Sequence, residues 1–205
     1  MTGTTRRRTQ EERTAATRAA ILGAAIECLV TDGYAATSTS AIQQRAGVSR
    51  GALTHHFPAR DDLLVAAIDH LAEQRRAEMR DAVDALTGDR DRSRAALRLV
   101  YRQFAGDLFV AALELWNAAR TEAALHEALV RTERDIGRQN RVLLHDILGP
   151  EITSRPGFDG ALDSLFEWLR GLAVTNLLRS RPPDEDEIVD RGIRLLLGLS
   201  GPPPG

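Results

Sequence analysis

Apolar residues recur along this chain at intervals of three and four, the spacing that lines up side chains on one face of an α-helix. Ile21, Leu22, Ala25, Ile26, Leu29 and Val30 form the first such stripe. Gly33 follows with Tyr34, a helix stop with an aromatic ring to pack beside it. Ser38 to Ser40 supply N-cap candidates for a short second helix over 41–46, which Gly47 ends. Val48 fills the turn and Ser49 can cap a third helix, on which Leu53 and Phe57 lie one turn apart. Pro58 closes that helix and suits the first turn of the next. A long fourth helix keeps an apolar side through Leu63, Leu64, Ala67, Ile68, Leu71, Met79, Val83 and Leu86 as far as Gly88. The charged residues from Glu73 to Asp84 predict that its far half is partly exposed. Further helices are expected over 92–105, 107–120, 121–148, 159–179 and 184–199. Gly149-Pro150 and Arg181-Pro182-Pro183 supply the breaks, and the acids from Asp184 to Glu187 suit the start of the last helix. No strand alternation of any length and no internal repeat occurs. The pattern predicts an all-α fold of about nine helices.

Size and charge divide that fold. The chain has 205 residues, 43% hydrophobic and 27% charged, enough for a small domain joined to a larger one. The expected organisation is a flexible basic arm at 1–13, a helix-turn-helix domain at 14–60, a larger helical domain at 61–200 and a disordered Pro/Gly tail at 201–205. Net charge is −2, yet residues 1–60 hold Arg6, Arg7, Arg8, Arg13, Arg18, Arg45, Arg50 and Arg60 against Glu11, Glu12, Glu27 and Asp32. A basic end on an acidic body suits a polyanionic partner for the first part only, although Arg6 to Arg8 alone read as a solvated tail. Cys28 is the sole cysteine, which excludes an internal disulfide and a cysteine-based zinc site, and its helical spacing with Ile21 and Ala25 makes it a small core residue. No apolar run approaches the roughly 20 residues of a membrane span, and no signal core follows the N-terminal charges. The expectation is a cytoplasmic protein with no cofactor, no metal and no membrane partner.

Candidate chemistry gathers on the third helix. Three helices with a glycine turn between the second and third make a helix-turn-helix, whose last helix enters the DNA major groove. Its leading edge is Ser49, Arg50 and Gly51. Ser49 can offer a hydroxyl or backbone N–H to phosphate, and a helix N-terminus attracts anions. Arg50 can reach a phosphate or take a guanine edge bidentately. Gly51 lets the backbone come close. Thr54 and His55 fall on the next exposed turn, His56 flanks them, and Arg60 opens the fourth helix, where the opposite strand would lie. Ser38 and Ser40 open the second helix, which crosses the DNA backbone in this motif. The plainer alternatives are an N-cap role for Ser49 and a partly exposed histidine pair without function. Adjacent histidines do not share a helix face, which argues against a metal site there.

The stretch AIQQRAGVSRGALTHHFPARDDLL, with Gly33-Tyr34 upstream, resembles the DNA-binding domain of the TetR/AcrR family of bacterial transcriptional regulators. The similarity is dense over about residues 14–70; beyond that only helix count and length are similar. The resemblance implies an all-helical homodimer, each subunit with three N-terminal helices on DNA and about six more forming an effector pocket and a dimer interface. It implies phosphate and base contacts at Ser38, Ser49, Arg50, Gly51, His55, His56 and Arg60. The family often has Tyr where Thr54 stands, so Thr54 makes a shorter contact or none. Ser40 occupies a variable position and is a candidate for setting operator choice.

The C-terminal helices carry two further expectations. Leu165, Leu169, Leu172, Ala173, Asn176 and Leu177 lie along one side of a helix, and Ile193, Leu196 and Leu197, preceded by Ile188 and Val189, do so on the last. Two such helices suit a four-helix dimer seam with Leu165, Leu169, Leu172, Ala173, Leu177, Ile193, Leu196 and Leu197 at its centre; the alternative is that both faces complete the monomer core. In a chain with 4% aromatics, Tyr101, Phe104, Phe109, Trp116, Phe166 and Trp168 are concentrated, and with Leu108 and Asn176 they are candidates for an apolar ligand cavity. Ordinary core packing is the alternative for each.

The expected function is a ligand-responsive repressor: a homodimer on a palindromic double-stranded operator, released by a small-molecule effector. An activator or constitutive regulator of the same fold is the alternative. An enzyme is a remote one, since His126, Glu133, Asp135 and His145 on the seventh helix form no convincing metal or nucleophile set and no phosphate-cradling glycine loop occurs. A helical interaction module without DNA contact leaves the basic first sixty residues unexplained.

Overall fold

A computed structural model describes residues 9–84, 89–181, 183–199 and 201. The first eight residues of the expected arm, Leu86, Gly88, Pro182, residues 202–205 of the expected tail and the side chain of Val83 lie outside that description. Among the described residues the chain forms ten helices and no strand: α1 (Gln10–Ala36), α2 (Thr39–Ala46), α3 (Arg50–His56), α4 (Arg60–Asp84), α5 (Asp89–Phe104), α6 (Asp107–Ala119), α7 (Ala123–Leu148), α8 (Pro150–Thr153), α9 (Phe158–Asn176) and α10 (Glu185–Leu199). The all-α expectation holds. The tenth helix is the single turn α8, begun by Pro150, the residue expected only to end α7.

Local chemistry sets the ends of α1. Thr9 Oγ1 accepts from Glu12 N at 3.2 Å while Glu12 Oε2 accepts from Thr9 N at 2.7 Å. This reciprocal cap starts the helix at Gln10, so residues 10–13, expected as flexible arm, are helical. At the other end Gly33 has φ 75° and ψ 171°, a break in the helical path that a side chain would strain.

The chain divides into two compact units. The first holds the described residues up to 70 together with 110–132. In it α1 packs on α2 and α3, and α2 on α3. Ile21, Leu22, Leu29, Ile42, Leu63, Leu64, Leu115 and Leu125 are fully buried, as is the free thiol of Cys28, whose pKa burial pushes up. By length and composition alone α1 is apolar enough to cross a membrane, contrary to the expectation that no segment is. Its apolar residues nevertheless fall on a stripe buried in the protein, with Glu27 and Gly23 on the exposed side. The second unit holds residues 71–109 and 133–201 among those described. Here α10 packs on α5 and α9, and α8 on α9, around Leu97, Val100, Leu144, Phe158, Leu162, Leu165 and Val189. A ladder of ion pairs runs along the α5–α10 contact, joining Arg94 to Asp190, Arg98 to Asp186 and Glu185, and Arg102 to Glu185.

Candidate functional site

Two serine caps and one glycine turn place α3. Ser38 caps α2, its Oγ accepting from Ala41 N at 3.1 Å. Gly47 ends α2 in the left-handed conformation at φ 65°, ψ 29°, which closes the turn without the penalty a Cβ would bring. Ser49 then caps α3, its Oγ accepting from Ala52 N at 3.2 Å. With only seven residues, α3 draws its stability from docking. Leu53 and Phe57 point inward and are buried, and the Arg18 guanidinium lies 5.2 Å from the Phe57 ring centre. The α2 side is tied to α1 by Arg45, which pairs with Asp32 at 3.2 Å and donates to Thr31 Oγ1 at 3.1 Å.

What this leaves outside is a polar edge. Ser49, Arg50, Gly51, Thr54 and His55 on α3, with Ser38 and Ser40 at the start of α2, are all exposed. His56 is half-buried, edge-on to His55 with ring centres 5.6 Å apart. The serine–arginine edge faces solvent and not the protein interior, as docking on a duplex requires.

Arg60 stands apart from this set. Its Nε donates to Thr37 O and its Nη2 to Tyr34 O, both at 2.6 Å. The guanidinium also stacks 4.1 Å from the Tyr34 ring centre and lies 3.6 Å from Asp61. Charge-assisted bonds to two backbone carbonyls anchor the end of α1, so the donors that the sequence directed at DNA are already in use here. Tyr34 is held from a second side: its N–H donates to Glu114 Oε2 at 2.8 Å and its hydroxyl to Glu122 Oε2 at 2.7 Å. Burial, reinforced by the Glu122 hydrogen bond, raises the Tyr34 pKa. Neither glutamate carried a signal in the sequence, because their partner lies about eighty residues away.

The expected dimer set is split. Leu165, Leu169, Ala173 and Leu196 are buried in the core of their own chain, and Leu172, Ile193 and Leu197 are half-buried. Only Leu177 is exposed, and it is joined outside by Val174 and by Leu178, 92% exposed. The periodic apolar face is therefore the one turned to the monomer core. The exposed side of α10 carries Glu187, Arg191 and Arg194, with Arg191 paired to Glu187.

The expected pocket residues are likewise divided. Trp116 belongs to the first unit, the others to the second. Phe104 lies 6.2 Å from Phe109 and 6.3 Å from Phe166, ring centre to ring centre. Tyr101 and Phe109 are buried, and Leu108, Phe166 and Trp168 are half-buried. Trp168 and Tyr101 are packed against Leu97, Leu165 and Val189 with no room for a guest. Asn176 Oδ1 is buried without a hydrogen-bond partner. A separate cleft of about 600 Å³, walled by Leu97, Ile147, Ile152, Ile193 and Leu197 with Arg92 and Arg155, contains none of the expected pocket residues. In the stretch of α4 expected to be partly exposed, Arg76 and Met79 are buried. Of the seventh-helix ionisable groups, His145 contacts Asp159 at 3.0 Å and Asp135 pairs with Arg138 at 2.8 Å.

The family described as bacterial regulatory proteins, tetR family, matches residues 21–67, the segment containing α2, α3 and the buried anchors around them. The transcriptional regulator CymR of Pseudomonas putida is 35% identical over 176 residues, 84% of this chain and 85% of its own. Among solved structures, the multidrug binding protein EbrR complexed with ethidium superimposes with a TM-score of 0.61 at 25% identity, over 87% of this chain and 97% of its own. The Bacillus subtilis regulator FadR in complex with stearoyl-CoA has the same fold, with a TM-score of 0.68 at 19% identity and the same coverage of 87% and 97%. The chain belongs to the TetR family of bacterial regulatory proteins and is a helix-turn-helix transcriptional regulator.

Proposed function

We propose that this chain is a ligand-responsive repressor, a homodimer that binds a near-palindromic operator and is released by a small organic effector. The observation that carries the reading is the solvent-facing edge of α3. Ser49, Arg50 and Gly51 are presented together by a side-chain cap, a left-handed glycine turn and two buried anchors. In this reading Arg50 reads a guanine edge or a phosphate, Ser38 and Ser49 meet phosphates, Gly51 lets the backbone approach, and Thr54, His55 and His56 border the groove. Ser40 contributes to operator choice. Arg60 acts through the fold by fastening α1. The protein works in the cytoplasm, without cofactor or membrane.

A dimer would set two recognition helices about one DNA turn, ~34 Å, apart. The exposed side chains of Val174, Leu177 and Leu178 support a seam at the end of α9. The second unit is assigned the effector. EbrR, a relative of the same fold, holds the organic cation ethidium, and Phe104, Phe109 and Phe166 form an aromatic cluster here. Effector binding would shift the two recognition helices and lower operator affinity by a coupling energy of ~1–3 kcal/mol.

Selection of binding sites from a pool of random duplexes by the full chain, followed by gel shift across a salt series, tests this. Enrichment of an inverted repeat, bound with affinity falling steeply as salt rises, is the expected result. Enrichment of a single half-site, or of nothing, would overturn the dimeric operator reading.

A further inference from the structure

Five side-chain atoms among the described residues are buried without a hydrogen-bond partner: Arg76 Nη1, Arg92 Nε, Gln103 Nε2, Asn140 Oδ1 and Asn176 Oδ1. Of these residues only Arg92 lines the cleft of about 600 Å³ in the second unit. Its neighbours on α5 are treated differently. Arg94, Arg98 and Arg102 are each matched to an acid of α10. Arg92 stands two residues before that row, on another side of the helix, and forms no ion pair among the described residues. The same cleft is lined by a second such arginine, Arg155, just after α8. Its Nε donates to the Glu151 carbonyl oxygen at 3.4 Å, and no carboxylate among the described residues pairs with its guanidinium. Both arginines are half-buried.

The rest of the lining sets the character of a guest. Leu97 of α5, Ile147 of α7, Ile152 of α8 and Ile193 of α10 supply aliphatic walls, and no aromatic ring is among the described lining residues. Ser93 adds a half-buried hydroxyl. Two acids also line the cleft, Asp146 and Glu151, and both are exposed. Water solvates an exposed carboxylate and screens its field. A half-buried guanidinium without a counter-ion instead keeps its charge beside walls of low dielectric. The arginines therefore outweigh the acids for a guest inside the cleft. Its volume falls in the range of roughly 300–1,000 Å³ typical of small-molecule sites.

We propose that this cleft is a second ligand site, which takes a carboxylate with an aliphatic body. Arg92 and Arg155 hold the anionic head, and the chain lies along Leu97, Ile147, Ile152 and Ile193. Guanidinium N–H groups match the two oxygens of a carboxylate, and the Ser93 hydroxyl can donate as well. The cleft shares no lining residue with the cluster of Phe104, Phe109 and Phe166 assigned to the effector, and the proposal does not depend on that assignment.

Titration calorimetry on the full chain tests this with octanoate, its neutral counterpart octanamide and the cation octyltrimethylammonium. Octanoate should bind wild type about tenfold or more tighter than either of the others. Arg92→Gln and Arg155→Gln should each weaken octanoate about tenfold and leave octanamide unchanged. Neither arginine has an ion pair to lose, so both variants should melt within error of wild type. Ser93→Asp, which adds a carboxylate to the lining, should abolish octanoate binding and spare octanamide. Equal binding of octanoate and octanamide, or tighter binding of the cation, would overturn the proposal. So would octanoate affinity unchanged in both arginine variants, or no octanoate binding at millimolar concentration. Operator release by the same compounds is read separately by gel shift, and its outcome bears on the effector reading alone.

Discussion

The backbone N–H of Tyr34 donates to Glu114 Oε2 at 2.8 Å, joining the end of α1 to α6 across a sequence separation of 80 residues. Gly33 makes the contact possible. Its positive φ turns the chain out of the helical path, and a Cβ there would stand 3.2 Å from the same glutamate oxygen. The recognition helix therefore rests on a three-helix unit whose first helix is fastened from α6, from Glu122 before α7 and from Arg60.

Gly33→Ala should destabilise the protein by ~1–3 kcal/mol, through backbone strain at positive φ and displacement of Glu114. Glu114→Ala leaves the half-buried Tyr34 N–H unpaired and should cost ~1–3 kcal/mol. Both changes act on one contact, so the double variant should lose less than the sum. Thermal melting of the four proteins measures this, and strict additivity would show that the two residues act independently.

Arg50→Ala removes an exposed side chain from the front of α3. Operator affinity should fall by ~1–3 kcal/mol while the melting temperature stays within error of wild type. If Arg50 contacts a phosphate, the slope of log affinity against log salt should also fall by about one. An unchanged gel shift would mean that α3 does not meet DNA through this edge.

Arg60→Ala should behave in the opposite sense and lower the melting temperature first. It breaks two charged bonds to carbonyls, each worth ~1.5–3 kcal/mol by analogy with such bonds elsewhere, and a stacking contact on Tyr34. Arg60→Lys should restore little, since an ammonium cannot span the Tyr34 and Thr37 carbonyls as a planar fork does. Full melting stability in Arg60→Ala, with operator binding lost, would return this residue to the DNA surface.

The hydrogen bonds that Arg76 donates hold the Glu73 carboxyl below the usual glutamate range. A depressed folded-state value means that the associated stability is present above the ordinary glutamate pKa and is lost as pH falls through the depressed one. Glu73→Gln should therefore be less stable than wild type at neutral pH, and the difference should shrink under acid. Melting curves across the acidic range check the sign; a gap that widens on acidification would contradict it.

Leu178→Glu should shift the proposed dimer to monomer in light scattering without lowering monomer stability, because that side chain is exposed. Leu165→Ala should instead cost ~2–5 kcal/mol of folding stability, as a fully buried leucine does. A dimer that survives Leu178→Glu together with Val174→Glu would place the seam elsewhere.

Much of α3 was legible because its determinants are local. Ser38, Gly47 and Ser49 act within three or four residues of themselves, and Leu53 and Phe57 declare an inward side by their spacing. The same short-range chemistry at Thr9 and Glu12 was readable in principle, and would have placed the start of α1 at Gln10. Glu114 was not legible, because nothing near it in the chain names Tyr34 as its partner. Arg76 was hidden for a related reason: charged residues crowd its stretch of α4, and only the fold shows which of them turns inward.

The amino-acid order by itself determined the all-helical character, most of the breaks between helices and the polar front of α3, since each follows from side-chain period and capping over a few residues. Tertiary packing decided the use of each surface. It buried Leu165 and Leu196 while leaving Leu178 outside, turned Arg60 onto the carbonyls of Tyr34 and Thr37, and left a nitrogen of Arg76 and one of Arg92 buried without a partner. Helical spacing marks a face without naming what will cover it, and that choice is made only when distant segments meet.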